Sequence, residues 1–378
     1  MQFEDITGQE HIINHLKQSA DHGRIPHAQL FTGPEGCGLL PMAIAYARYV
    51  ICGNAGANAS ACQLKFDNFA HPDLHFSYPV NTSDKIKKDP TSKDYAKEWT
   101  AFLKEQPYGN LFDWLLSIGI EKKQGNISVH EAKDIVKNMS LKAYEGGYKV
   151  NIIWMAENMN IPCANKLLKL IEEPPAKTVF ILLAEDEEAL LQTIRSRCQV
   201  IHFPPLSEAA VAAALQAKGM EQAQALKLAH RADGNLNKAF DLMEHRSEDE
   251  VFEKWFVTWV RTAFKAKGNK QVVNDLIAWS DEVGKTGRET QKKFIHYCIE
   301  VFRQALVYNY NAKELAFMEF DTGFQLEKFA PFVHGNNITD IHKELETALY
   351  QVERNVNSKV IFTDLSLSLT RLLHRKSE

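Results

Sequence analysis

No run of about 18 apolar residues occurs anywhere in this chain of 378 residues, and its first residues, Met1-Gln2-Phe3-Glu4-Asp5, are acidic rather than apolar. Neither membrane insertion nor export is expected, and a cytoplasmic location is. A basic excess is missing as well. Lysine and arginine number 44 against 48 aspartates and glutamates, a net charge of -4, which argues against a broadly cationic nucleic-acid surface. Any DNA contact must then be local or shared with partners. Cysteine is scarce: the six residues Cys37, Cys52, Cys62, Cys163, Cys198 and Cys298 have no repeated short spacing, unlike the disulfide framework of a small secreted domain, so a reducing compartment fits best. There is no recognisable Ser/His/Asp or Cys/His catalytic context, no solenoid-length repeat and no low-complexity tract.

Hydrophobic residues at 45% and charged residues at 24% are ordinary for a globular chain, and the length suggests two or three domains. Up to about residue 205 helical patterns alternate with short β-rich runs at Ala28 to Thr32, Leu74 to Tyr78, Val150 to Met155, Val179 to Leu183 and Gln199 to Phe203. That order predicts βαβ units around a parallel sheet. Ser128 with Glu131 three residues on predicts a capping box and a helix reaching about Leu141. From Ser207 onward the pattern is all-α, with breaks near Gly219, Gly234, Gly268, Gly284 and Gly335-Asn336. The expected division is an α/β domain over 1–205, a small helical group over 206–248 and a larger helical domain over 249–378. Residues 81–125, rich in Lys, Asp and aromatics, interrupt the βα rhythm and read as an insertion.

The strand Ala28 to Thr32 leads into Gly33-Pro34-Glu35-Gly36-Cys37-Gly38-Leu39-Leu40 and then a helix. Strand, glycine loop and helix make a P-loop context, although a plain glycine turn has the same local spacing. In a working P-loop a Lys reaches the β/γ oxygens and the next Ser/Thr holds Mg²⁺. Leu39 and Leu40 stand at those two positions, and Pro41 removes a further N–H. The strand beginning at Val150 takes the place of a Walker-B strand, whose end should present an Asp to the metal. Trp154 and Met155 are there instead; the nearby Glu157 fits a solvated loop charge equally well.

Ala164-Asn165-Lys166-Leu167-Leu168-Lys169-Leu170-Ile171-Glu172-Glu173-Pro174-Pro175 resembles the A-N-A-L-L-K-x-L-E-E-P-P signature of the clamp-loader branch of AAA+ proteins. It is an amphipathic helix with Leu167, Leu168 and Ile171 on its apolar stripe, ended by two prolines. Thr193-Ile194-Arg195-Ser196-Arg197-Cys198 is similar to the family's S-R-C motif. The openings Phe3 to Gln9 and Gly23 to Gly33 also resemble these subunits, so the likeness runs in order to about residue 240, the rest matching only in helical character. It implies an AAA+ P-loop-type core, a lid over 206–248 and a collar for oligomerisation over 249–378. The family's gamma/tau type keeps the P-loop Lys and Walker-B acids, whereas the delta-prime type lacks a functional site yet retains S-R-C, the pattern found here. Asn237 falls where the lid's sensor arginine normally sits.

The resemblance implies a non-catalytic stator in a ring with gamma/tau and delta subunits, meeting the sliding clamp and primed DNA through that complex. Arg197, flanked by Ser196 and Cys198, would be an arginine finger inserted in trans; read alone it could be a surface arginine. No cofactor is expected. Where the family has four cysteines for zinc, only Cys52 and Cys62 remain, with His71 and His75 nearby, so zinc is not expected either. The alternatives are an AAA+ ATPase with an unconventional site and a stand-alone DNA-binding protein, the second requiring a salt-sensitive contact. Lys133, Lys137 and Lys142 could track phosphates or form a solvated face. Trp255, Trp259 and Phe264 read as a core or a subunit interface rather than a base-stacking platform, and the insertion's Trp99, Tyr108, Phe112 and Trp114 as packing onto the parent domain, with docking of a partner as the alternative.

Overall fold

The computed structural model describes residues 1–53, 59–121, 123–145, 147–244, 249–266, 269–310, 318, 320 and 322–376. It divides into two compact units, Met1–Ile120 with Gln124–His245, and Glu121–Lys123 with Arg246–Glu378.

The first unit is built on five parallel strands, β1 (Ala28–Thr32), β2 (Leu74–Ser77), β3 (Lys149–Ile153), β4 (Thr178–Ala184) and β5 (Gln199–His202), in the order β2-β3-β4-β1-β5. Leu30 pairs with Leu182 on one side and Val200 on the other. Strands buried on both faces need apolar residues at every position, and β4, Thr-Val-Phe-Ile-Leu-Leu-Ala, is buried throughout. Alternation then sorts the side chains. Phe31, Val150, Ile152, Val179, Ile181 and Leu183 face one core, while Leu30, Ile153, Phe180 and Leu182 face the other.

Helices α1 (Glu10–Asp21), α2 (Leu39–Cys52) and α3 (Ala59–Asp67) come before β2. Twelve of the 14 residues of α2 are buried, because it is covered on its outer side too. The cover includes α4 (Ala96–Glu105) and α5 (Leu111–Ser117) of the 81–125 stretch. Trp99, Phe102, Leu103, Trp114 and Leu115 join the α2 core, Trp99 stacks on Tyr78 with centroids 4.0 Å apart, and Trp114 Nε1 donates to the Pro79 carbonyl at 2.8 Å. The opposite face carries α6 (Val129–Ser140) and α7 (Ile161–Glu172). The capping box expected at Ser128 is half made: its hydroxyl accepts from His130 N, but Glu131 is buried and accepts from Ser92 N at 2.7 Å. A donor on the 81–125 stretch has drawn the carboxylate away from the helix start. The short α8 (Gln192–Arg195) precedes β5. Helices α9 (Glu208–Ala217), α10 (Gln222–Ala232) and α11 (Leu236–Met243) enclose a small core of their own, largely alanine and leucine. Gly219 and Gly234, both at positive φ, punctuate them.

The second unit is helical: α12 (Asp249–Lys265), α13 (Lys270–Gly284), α14 (Arg288–Asn309), α15 (Leu326–Phe329), α16 (Gly335–Glu353) and α17 (Ser358–Leu372). Trp259 is fully buried, lies parallel to Trp279 at 5.2 Å and donates to Ser366 Oγ at 2.9 Å, so it is core. Trp255 donates to Glu282, while Phe264 is part-exposed and stacks on His374. The break expected at Gly268 lies outside the described residues. Among the described residues no helix is long and apolar enough to cross a membrane.

Candidate functional site: a closed P-loop and an anchored arginine

The glycine loop leaves the carboxyl end of β1, a central strand, where open α/β sheets place their ligand crevice. Gly36 and Gly38 adopt φ of +72° and +99°. Gly36 has no room for a side chain, since a Cβ would lie 2.0 Å from Asn235 Oδ1. The turn has tight, left-handed glycines of the kind a phosphate loop requires. Leu39 and Leu40, which follow it, are 9% and 3% exposed and belong to the α2 core. β3 stops at Ile153, short of the Met155 expected from sequence, because Met155 takes a left-handed φ of 54°. Trp154 packs against Trp99 and Phe102 at 5.2 and 5.8 Å, an apolar contact at the position where the Walker-B pattern expects a metal-binding carboxylate. The crevice between the loop and the ends of β3 and β4 retains about 30 Å³, lined among others by Pro107, Tyr108 and Gly109. Ligand pockets usually enclose roughly 300 to 1,000 Å³.

Glu157 is not a solvated loop charge. Its Oε1 accepts from Glu185 N at 2.9 Å, and its buried Oε2 has no hydrogen-bond partner among the described residues. Burial pushes the carboxyl from 4.5 to about 7. Between those values the folded state keeps a proton that the unfolded chain has released, so stability is greatest below about 4.5 and is lost as pH rises through 7. A full shift in a dry site is worth up to about 3 kcal/mol, and about 2 kcal/mol is expected for a residue only partly exposed. Thermal unfolding of Glu157→Gln should show a flatter pH profile than wild type between pH ~5 and ~8, its advantage growing toward the alkaline end.

Arg197 follows α8. Its Nε donates to Glu172 Oε2 at 3.2 Å and its Nη1 to the Thr193 carbonyl at 2.9 Å. Glu172 ends α7, so the helix signature and the S-R-C motif, 25 residues apart, meet as an ion pair. Leu167 and Ile171 anchor α7 in the core, with Leu168 partly buried, and the Asn160 side chain caps its start by accepting from Cys163 N. Arg197 itself remains about one third exposed and does not line the crevice of its own glycine loop. Ser196 is exposed and adds a weak contact to Thr193, and burial pushes the Cys198 thiol up to about 11. Asn237 donates to Asp113 Oδ2 at 2.7 Å.

At the zinc-module position Cys52 and Cys62 form a disulfide with Cα atoms 5.6 Å apart. The two cysteines, expected from the sequence only as a remnant of a zinc module in a reducing compartment, lie at the end of α2 and on α3, ten residues apart. His71 and Glu145, not His75, converge on Cys62, with ligand atoms within 4.8 Å. His71 Nδ1 already accepts from Asp73 N and its Nε2 meets Glu145 Oε2 at 3.3 Å. A tetrahedral structural zinc needs four free donors, which a bonded cysteine pair does not supply. Lys133 and Lys137 are on α6; Lys142 lies beyond its end.

Residues 8–207 match the family model described as DNA polymerase III, delta subunit. The chain is 27% identical over 248 residues to DNA polymerase III subunit delta' of Bacillus subtilis (strain 168), covering 65% of this chain and 61% of that one. It is 26% identical over 322 residues to subunit tau of the same organism, covering 81% and 50%. To subunit tau of Salmonella typhimurium it is 28% identical over 248 residues, covering 64% and 32%. The chain thus spans between about a third and just under two thirds of the length of these relatives. With more than half of its residues matched by one family model, the chain belongs to the DNA polymerase III delta family and is a delta-prime-like clamp-loader subunit.

Proposed function

We propose that this chain is a non-catalytic stator of a clamp loader, lending Arg197 in trans to the ATP site of a neighbouring gamma/tau-type subunit. Its α9–α11 group would be the lid and the second unit the collar of a ring that also contains a delta subunit. The supporting observation is an asymmetry: the chain's own phosphate loop is packed shut, while Arg197 is tethered through Nε and Nη1 and stays partly exposed. A guanidinium is permanently charged and planar, which suits it to spreading charge over a transferring phosphoryl group. The sliding clamp and primed DNA would be met through the assembled ring.

ATP hydrolysis by a loader reconstituted with cognate gamma/tau and delta subunits, comparing wild type with Arg197→Ala at equal assembly, tests this reading. Unchanged hydrolysis would sink it. Glu172 would act as a positioning residue, because it fixes the fork without being able to reach a neighbour's phosphate itself. Glu172→Gln keeps the size and a hydrogen-bond acceptor but loses the charge. The expected result is a loss of roughly 3- to 30-fold in kcat of the loader with KM for ATP nearly unchanged, since one charge-assisted hydrogen bond is worth about 1.5–3 kcal/mol when intact and less when half exposed. A rise in KM alone would contradict the positioning role.

A further inference from the structure

We infer that residues 107–113, within the stretch that interrupts the βα rhythm, serve as a built-in substitute for a bound nucleotide, filling the crevice over the glycine loop and tying helices α9–α11 to the sheet domain. The key side chain is Tyr108. Its ring stands over the loop, where a Cβ added to Gly38 would lie 3.2 Å from Tyr108 Cε1. Its hydroxyl accepts from Thr7 N at 3.0 Å, and its ring packs on the core of α9–α11. One aromatic side chain thus touches the amino-terminal segment, the glycine loop and the helical group at once. The adjacent Pro107 and Gly109 line what remains of the crevice. A flat, largely apolar ring with one polar tip suits a site whose cation and metal ligand are gone, because it brings no charge that Leu39 and Leu40 would leave uncompensated.

Polar ties flank the ring. Asn110 Nδ2 and Asn235 Nδ2 both donate to Glu35 Oε1, at 3.1 and 3.0 Å, so one loop carboxylate holds both α5 and α11 by their starts. Asp113 caps α5 and also accepts from Asn237 on α11. Leu236 N donates to the Gly36 carbonyl at 3.2 Å, closing helix to loop directly. Gln9 Nε2 adds bonds to the carbonyls of Cys37 and Pro204, on the loop and at the base of the helical group. Loop and helices are thus joined by polar contacts that the chain itself supplies. Helices held this way have one arrangement rather than a ligand-dependent pair.

The inference rests on contacts within one unit and is independent of any role for Arg197, whose test reads hydrolysis by a complex. Its own test is amide hydrogen exchange on the full chain, comparing wild type with Tyr108→Ala, Tyr108→Phe and Asn237→Ala. In Tyr108→Ala, exchange should rise at least about ten-fold across residues 33–38 and 208–243 while β1, β3 and β4 stay protected. Tyr108→Phe, which keeps the ring and loses only the bond to Thr7, should stay within about three-fold of wild type. Asn237→Ala should loosen α11 selectively. A folded Tyr108→Ala chain with wild-type exchange in α9–α11 overturns the proposal. Should Tyr108→Ala unfold the sheet as well, Asn237→Ala decides: faster exchange confined to α11 and the loop supports the tie, and unchanged exchange there overturns it.

Discussion

A loader rebuilt with Arg197→Ala should assemble as wild type and lose ATP turnover at the neighbouring site that Arg197 serves by about 10³- to 10⁵-fold, the range found when a trans arginine is removed from a phosphoryl-transfer site. Folding of this chain should hardly change. The side chain is partly exposed, and its two bonds, to Glu172 and to the Thr193 carbonyl, are surface interactions of the kind that contribute little to stability. Arg197→Lys should rescue poorly. Lysine offers a compact point charge that cannot bond Glu172 and Thr193 while presenting a second edge outward. A large loss in both variants, with unfolding midpoints near wild type, separates a role in the chemistry from a structural one. Equal turnover in wild type and Arg197→Ala would leave the delta-prime-like assignment in place and remove the finger.

Much of the sheet was legible because it is buried on both faces. β1 matches its expected bounds, and β4 extends the expected run by one residue at each end. The edge strand β2 and the end of β3 were less so. At β3 the run of apolar residues continues past the strand, and only the left-handed Met155 stops it, a backbone event with no signature in the residue type. Leu39, Leu40, Trp154 and Met155 stood out in the sequence because the resemblance puts charged or hydroxyl groups at those positions, and the structure buries all four. What closes the site was not. Tyr108 lies about 70 residues beyond the glycine loop in a stretch that breaks the βα rhythm, and no local pattern tells a tyrosine that packs from one that plugs a crevice. The Glu172–Arg197 pair, the Cys52–Cys62 bond and the two asparagines on Glu35 are likewise contacts between elements, fixed by topology rather than by spacing.

Putting the textual P-loop back should not put back the site. The double substitution Leu39→Lys with Leu40→Thr restores the residue types of a working loop, yet Mg²⁺-ATP should not bind it measurably up to millimolar concentration in calorimetry. Trp154 and Met155 would still stand where a metal-binding carboxylate is needed, and Tyr108 would still fill the crevice. Stability should fall instead. Leu39 and Leu40 belong to the largest core of the first unit, so the pair loses two apolar side chains and gains an ammonium and a hydroxyl with no partner prepared for either. About 4–6 kcal/mol is the expected cost, a large part of the roughly 5–15 kcal/mol that holds a typical domain together. Denaturant unfolding of the single and double variants measures it, and the double variant should unfold at markedly lower denaturant with a similar slope. Micromolar binding of Mg²⁺-ATP by the double variant would mean that Leu39 and Leu40 alone keep the site silent, and that Tyr108 yields to a nucleotide instead of replacing it.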